Sequence, residues 1–145
     1  MFRGSILLLA LTGLPAPALA SKPCPTAVKE AVKRLHPTAR LASCKPEKDQ
    51  GKLQYEVKIS SEGKPLELDL TPEGLLLQTE EKVPLGSLPA GVLSAFRSRY
   101  AGIEPLAAER QTKADGKTTF EVAFERDRKR REATFSETGS FVEEE

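Results

Sequence analysis

The chain has 145 residues, of which 39% are hydrophobic and 30% charged. A chain of this length forms one ordinary domain or two very small ones. One His and two Cys leave little material for a metal cluster or a histidine-based catalytic relay. The formal net charge of +1 gives no overall electrostatic reason to expect binding to nucleic acid or to a membrane surface. We therefore predict no cofactor, no metal and no nucleic-acid partner.

The first twenty residues have the features of an export signal. Arg3 precedes an apolar stretch, and the segment closes on the small-x-small pattern Ala18-Leu19-Ala20. The apolar stretch is about half of the ~20 residues that a membrane-spanning helix needs, and no later segment is long or apolar enough to span. We predict a signal peptide over residues 1–20, cleavage near Ala20, and a mature chain that is periplasmic or extracellular.

Cys24 and Cys44 are predicted to form a disulfide, because export places them in an oxidising compartment. A reactive thiol or a pair of metal ligands is the weaker interpretation. A helix from about Pro25 to His36, followed by an extended return, brings the two cysteines within the ~5.5–6 Å between Cα atoms that a disulfide requires.

Two parts of the chain resemble each other. Residues 25–37 align with residues 89–101, and residues 51–78 align with residues 116–143. The identities in the second alignment are Gly51/Gly116, Lys52/Lys117, Glu56/Glu121, Val57/Val122, Lys64/Lys129, Glu67/Glu132 and Gly74/Gly139. Because the apolar positions keep their phase throughout, we interpret the chain as two copies of one supersecondary unit.

Each copy is predicted to begin with a helix. Its apolar positions in the first copy are Val28, Ala31, Val32 and Leu35, and in the second Leu88, Val92, Ala95, Phe96 and Tyr100. Ser87 is a plausible N-cap of the second helix.

Strands with a period of two follow each helix. They are centred on Tyr55-Val57-Ile59 and Leu66-Leu68-Leu70, and on Phe120-Val122-Phe124 and Ala133-Phe135. Hairpin turns are predicted at residues 61–63 and 127–129, and short last strands at 75–77 and 141–142. The first strands, around residues 38–45 and 103–111, have no clear register.

These elements predict an α+β fold with two repeated helix–β–β–β(–β) units, an antiparallel sheet and helices on one face. The predicted organisation is a signal peptide at 1–20, repeat 1 at 21–78, a linker at 79–86 and repeat 2 at 87–145. Whether the sheets of the two repeats join or only pack together stays open, as does the oligomeric state.

The pattern resembles the PepSY-like domains of exported bacterial proteins, in the fold group of the β-lactamase inhibitory protein (BLIP). The resemblance rests on a P-x-x-V-x-x-A-[VF] helix, an aromatic-Glu-Val strand, a charged hairpin and an acidic strand that closes on Gly74 or Gly139. It covers nearly all of residues 25–143 in tandem, and its motifs are diffuse. It implies a non-enzymatic module that binds or restrains other proteins, peptidases among them.

The sequence departs from the inhibitor in one respect. That protein presents aromatic side chains from its exposed sheet face, as interface energetics favour. The outward positions here are Gln54, Glu56, Lys58, Glu67, Asp69, Thr119, Glu121, Glu132 and Thr134, none of which is aromatic. Inhibition of a β-lactamase is therefore poorly supported.

A dense basic run lies at the second predicted hairpin. It consists of Arg126, Arg128, Lys129, Arg130 and Arg131. The run could bind a polyanion, a small anionic ligand, lipid head groups or an acidic partner. The favoured interpretation is a solvated hairpin whose charges discourage association at the sheet edge.

The remaining candidates are interpreted as structural. His36 has no visible nucleophile as partner and is taken as a helix-end residue. The pairs Glu56/Glu121 and Glu67/Glu132 are expected to lie on a wet strand face, unshifted in pKa and paired with Lys58 or similar residues. Residues 80–82 and 143–145 are expected to be solvated.

We conclude that the chain is not an enzyme. The first hypothesis is an exported protein-binding module that contacts an unidentified envelope or secreted protein by its sheet face or edge. The alternative is a polyanion or small-ligand binder that uses the basic hairpin.

Overall fold

The computed structural model describes residues 23–145; the predicted signal peptide and its cleavage site lie outside the described residues. The chain begins with α1 (Thr26–Leu35), β1 (Arg40–Asp49), β2 (Lys52–Ser61), β3 (Lys64–Leu70) and β4 (Leu76–Val83). A 3-10 turn (Leu85–Ser87) leads into α2 (Ala90–Arg99), β5 (Pro105–Lys113), β6 (Thr118–Arg126), β7 (Lys129–Ser136) and β8 (Phe141–Glu144). The predicted α+β class is confirmed.

All eight strands form one antiparallel sheet, in the order in which they occur along the chain. The pairing of β4 with β5 joins the first four strands to the last four, with Thr79 opposite Thr112 and Glu80 opposite Gln111. The sequence left open whether the sheets of the two repeats join or only pack together. In the structure they form one continuous sheet.

Both helices pack on the same face of this sheet, which we call the inner face. Residues that pair across antiparallel strands share a face, and the face alternates along each strand. From Leu68 the pairing runs through Thr79 and Thr112 to Thr118. Phe120 follows Thr118 by two positions and therefore lies on the same face as Leu68.

The inner face holds two separate hydrophobic clusters. The first joins Val28, Ala31 and Val32 of α1 to Tyr55, Val57, Ile59, Leu68 and Leu70. The second cluster joins residues in and next to α2 to residues of β5, β6 and β7. Its members are Leu88, Val92, Phe96 and Tyr100 on the helix side, and Ala108, Phe120, Val122, Phe124, Ala133 and Phe135 on the sheet side. Between them, on the central strands, Arg110 pairs with Glu81. This polar seam explains why the two apolar clusters do not merge.

Two details of the helices differ from the sequence prediction. Leu35 is 41% exposed, because it ends α1 beyond the last turn that contacts the sheet. Ser87 is not the N-cap of α2: it lies in the 3-10 turn, where its hydroxyl donates to the Pro84 carbonyl at 2.7 Å. Pro89 occupies the N-cap position instead.

The predicted turns are present, and two glycines do more than turn the chain. Gly74 and Gly139 precede the last strand of each half and have φ values of 83° and 93°. A Cβ on Gly74 would overlap the carbonyl of Ala27, and a Cβ on Gly139 would overlap that of Gly91. Each glycine therefore lets a loop lie directly against the first turn of a helix.

The Cys24–Cys44 disulfide is present, with 5.7 Å between the two Cα atoms. It ties the start of α1 to strand β1 at the sheet edge.

Strand β4 is longer than the short strand predicted at 75–77. It includes residues 79–83, which were predicted to be part of a linker. Pairing with both β3 and β5 extends this strand.

Candidate functional site: the outer face of the sheet

The outer face, opposite the helices, carries the polar residues that the sequence placed outward. No helix among residues 23–145 covers it. Four of its side chains are nevertheless more than 90% buried, since neighbouring side chains crowd them in a wide sheet. They are Gln54, Asp69, Thr119 and Thr134.

Three pairs of carboxylates stand directly opposite one another on this face. They are Glu56–Asp69 on β2 and β3, Glu67–Glu80 on β3 and β4, and Glu109–Glu121 on β5 and β6. Like charges at directly opposed positions destabilise a sheet. We call these three pairs the acidic pairs. Together they cross the middle of the sheet and include both of its halves.

Asp69 is the most deeply placed of these carboxylates, at 9% exposed. Its carboxylate makes no hydrogen bond or ion pair within residues 23–145, and its oxygens keep a small contact with solvent. The equivalent pairing in the second half places neutral Thr134 opposite Glu121. A charged residue at position 69 is therefore not needed for the strands to pair in this register.

Glu80 and Glu121 are held by hydrogen bonds to one amide. Gln111 Nε2 donates to Glu80 at 3.2 Å and to Glu121 at 3.1 Å. Thr119 donates its hydroxyl proton to Gln111 Oε1 at 3.1 Å, which fixes the orientation of that amide. Gln78 Nε2 also donates to Glu80, at 2.7 Å. The two carboxylates are thus positioned by side chains from three strands.

Burial and mutual repulsion raise the pKa values of these carboxyls. The pKa of Asp69 is raised to about 7, first by burial and then by the charges of nearby carboxylates. Burial and the charge of Asp69 raise the pKa of Glu80 to about 8. Burial and the charge of Glu132 raise that of Glu121 to about 7. Burial also raises the pKa of Glu67.

The prediction that these carboxylates keep ordinary pKa values was therefore wrong for Glu67 and Glu121. It assumed that an open strand face is fully hydrated, whereas a position in the middle of a wide sheet loses water to its neighbours. The predicted pairing with Lys58 is confirmed: its Nζ lies 3.3 Å from Glu56 and 3.1 Å from Glu67. One lysine thus serves a carboxylate of each of two acidic pairs.

The expectation that Glu80 and Glu144 are solvated was also wrong. Glu80 belongs to an acidic pair, and Glu144 accepts a hydrogen bond from the Tyr100 hydroxyl at 2.7 Å. That bond and the neighbouring arginines lower the pKa of Glu144. The sequence carries no signal for this extension of β4, because Gln78, Thr79, Glu80 and Glu81 are all polar and show no alternation.

The basic run is divided between the two faces of the sheet. Arg126 and Arg131 lie 2.5 and 3.6 Å from Glu144, whereas Arg130 pairs with Glu132 at 3.1 Å. Arg128 is in the turn with φ 61°, beside Lys129. Three of the five cations thus have acidic partners within the chain, which leaves less free positive charge than the sequence suggests.

Of the other candidates, His36 lines a shallow cavity together with Lys29, Lys33 and Leu41. His36 is the C-cap of α1, with Nδ1 3.4 Å from the Ser61 hydroxyl.

Within residues 23–145, no group of three or more acidic, histidine or cysteine side chains is arranged to hold a metal ion. No helix of that region is long and apolar enough to cross a membrane.

Comparison with known proteins identifies a fold but no family. The sequence matches no protein-family model and no curated protein. Solved structures do match: a BLIP-like protein from Bacteroides fragilis is 26% identical with a TM-score of 0.62, over 85% of this chain and 86% of that one. A DUF2874 family protein from Bacteroides uniformis is 16% identical with a TM-score of 0.66, over 83% and 88%.

A third similar structure is that of a protein described as periplasmic, from Bacteroides eggerthii. It is 16% identical with a TM-score of 0.66, over 84% of this chain and 88% of that chain. These likenesses support a BLIP-like fold, an antiparallel sheet of eight strands with two helices.

Proposed function

We propose that this chain is an exported, non-enzymatic protein-binding module that binds its partner with the outer face of the sheet. The observation that carries the proposal is Asp69, 9% exposed and without a hydrogen-bond or ion-pair partner among residues 23–145, within a face where three acidic pairs oppose each other. Repulsion that Lys58 relieves only in part, together with a mostly buried charge that has no partner, costs stability. A face that keeps both is better explained by binding than by folding.

The face is favoured over the sheet edges as the contact surface. Edge strand β1 contains Pro46, which cannot donate a backbone hydrogen bond, along with Lys45 and Lys48. The opposite edge, β8, has only four residues and is rich in glutamate. Both edges thus have the features with which proteins discourage strand addition.

The similar structures support export and binding as part of the same proposal. The Bacteroides eggerthii protein is described as periplasmic and the Bacteroides fragilis protein as BLIP-like. Export of this chain also agrees with the disulfide and with the leader pattern at 1–20. In its more specific form, the proposal is that the partner is a peptidase whose activity this chain restrains.

We further infer that the fold arose from two copies of one unit, as the PepSY-like resemblance implies. The element order, a helix followed by four strands and then the same again, supports this. So does the use of Gly74 and Gly139 at equivalent loop–helix contacts. One consequence is that the acidic pairs on either side of the β4–β5 junction form one surface.

The alternative, a polyanion or small-ligand site at Arg126 and 128–131, stays a prediction. The ion pairs of Arg126, Arg130 and Arg131 make it the weaker of the two, because an incoming anion would have to displace Glu132 and Glu144.

Site-specific photo-crosslinking tests the proposed function. A photo-reactive residue at the exposed position 113 on the outer face and another at position 30 on α1 are compared in envelope extract at physiological salt. We expect a discrete protein adduct from position 113 and none from position 30. Equal adducts from both positions, or none from position 113, would contradict the proposal. If the adduct contains a peptidase, adding the purified chain should lower its activity.

A further inference from the structure

The acidic pairs are arranged as a row of separate negative positions rather than as one cage. The pairs lie on β2–β3, β3–β4 and β5–β6, and the row is interrupted between β4 and β5, where Gln111 stands opposite Glu80. Successive strands in a sheet lie about 4.8 Å apart, so the pairs are spread across the face. A metal ion needs its ligands convergent on one point, and no such group exists among residues 23–145. A row of this kind fits several separate cationic groups better than one ion.

Within this row, positive charge from the chain itself is sparse. Lys58 is the one cation within 4.0 Å of a carboxylate of the acidic pairs in the described part of the chain. Lys45 and Lys82 lie opposite Glu56 and Glu109 in register but make no ion pair there. Asp69 and Glu80 are the most shielded carboxylates of β3 and β4. Within residues 23–145, neither has a lysine or arginine side chain within 4.0 Å.

We propose that the outer face receives lysine and arginine side chains of a partner protein, with Asp69 and Glu80 binding the most deeply inserted cation. This inference rests on the proposed function and adds the chemistry of the partner. The carboxylates of this face are complementary in charge to a basic protein surface, which is therefore the expected partner. A cation placed between β3 and β4 would supply the missing partner of Asp69 and relieve the repulsion between Glu67 and Glu80.

Ionisation of the row links binding to pH. A cation stabilises the charged form of each carboxylate, so binding should strengthen as pH rises from 5.5 to 8.5. The groups that face Asp69 and Glu80 from the adjoining strands are Lys45, Glu47, Asp49, Glu56, Lys58, Glu67, Gln78, Lys82, Gln111, Lys113 and Glu121.

The probe for this inference is tetralysine, titrated into the chain at pH 8.5 while backbone amide shifts are recorded by NMR. We expect shifts concentrated on β3, β4 and β6. In the double variant Asp69→Asn, Glu80→Gln the affinity should fall at least tenfold. The matched control, Glu30→Gln with Glu73→Gln, removes the same charge from exposed positions off the face and should change affinity less than twofold.

Shifts spread evenly over all acidic residues, or equal losses in both double variants, would overturn the inference. Unchanged amide spectra in the absence of peptide show that each variant is folded. A second variant, Asp69→Thr, places at position 69 the residue type that the second half carries at position 134, and it should weaken tetralysine binding in the same direction.

The two proposals fail in different ways. If a protein partner binds the outer face equally well in the wild type and in Asp69→Asn, Glu80→Gln, this inference fails and the proposed function stands. If tetralysine binds as expected but no protein crosslinks from position 113, the proposed function fails and the cation site stands.

Discussion

Glu80 on β4 and Glu121 on β6 lie on either side of β5 and accept hydrogen bonds from the same nitrogen, Gln111 Nε2. The two carboxylates are close enough that each raises the energy of the other when both are ionised. Because they belong to different halves of the chain, this coupling exists only in the continuous sheet.

The raised pKa values make a prediction about stability. Asp69, Glu80 and Glu121 titrate near pH 7 to 8 in the folded protein but near pH 4 when unfolded. Between these values the folded state binds more protons, so the free energy of unfolding falls as pH rises from about 4.5 to 8. Urea unfolding should show a loss of about 1–3 kcal/mol over this range, since water screens part of the effect.

The double variant Asp69→Asn, Glu80→Gln should flatten this profile and be more stable than the wild type at pH 8. Glu30→Gln with Glu73→Gln provides the control, and its profile should follow that of the wild type. A wild-type stability that stays constant or increases between pH 5 and 8 would contradict the assignment. Below pH 4.5 protonation of Glu144 acts in the opposite direction, because its pKa is lowered in the folded state.

Replacing Gly74 by Ala should destabilise the protein much more than replacing Gly51. Both glycines have positive φ, 83° and 79°, so both variants share a backbone cost of about 1–2 kcal/mol. Only the Cβ at position 74 meets the Ala27 carbonyl, which adds about 1–3 kcal/mol, while the space around Gly51 is open. Thermal or urea unfolding of the two variants measures the difference, and equal losses would show that the loop–helix contact is loose.

Removing the disulfide should cost about 3 kcal/mol, since it closes a loop with a sequence separation of 20. The variant Cys24→Ala, Cys44→Ala should therefore unfold at lower urea concentration than the wild type. Dithiothreitol should shift the wild type towards the variant and leave the variant unchanged. Mass spectrometry of the secreted protein under non-reducing conditions checks the linkage and locates the mature N-terminus.

The basic hairpin separates into two pairs with different expected behaviour. Arg126→Gln with Arg131→Gln removes the cationic partners of Glu144 and should lower stability, whereas Arg128→Gln with Lys129→Gln should leave it nearly unchanged. Neither variant should weaken a complex made by the outer face by more than about twofold.

Polyphosphate serves as the probe for the alternative function of this hairpin. We expect no binding of the wild type at 150 mM salt. Salt-sensitive binding that is lost in Arg128→Gln, Lys129→Gln would instead support the polyanion site.

The local structure of the chain follows from its sequence. The period of two around Val57 and Val122 predicted the strands, and the 3.6-residue stripe through Val28 and Val92 predicted the helices, because backbone geometry ties each period to one kind of element. The oxidising compartment and the out-and-back path between Cys24 and Cys44 predicted the disulfide. These features depend on neighbours in the chain, which a sequence displays directly.

The candidate site, in contrast, depends on contacts that form only when the chain is folded. Pairing of β4 with β5 is a long-range contact without a local pattern, and this pairing joins the two halves and aligns the acidic pairs. Glu80 looked like part of a solvated linker because its partners, Glu67 and Gln111, come from distant positions. The shifted pKa of such a carboxyl depends on the charges and the water around it, and both are set by strands that meet only in the folded chain.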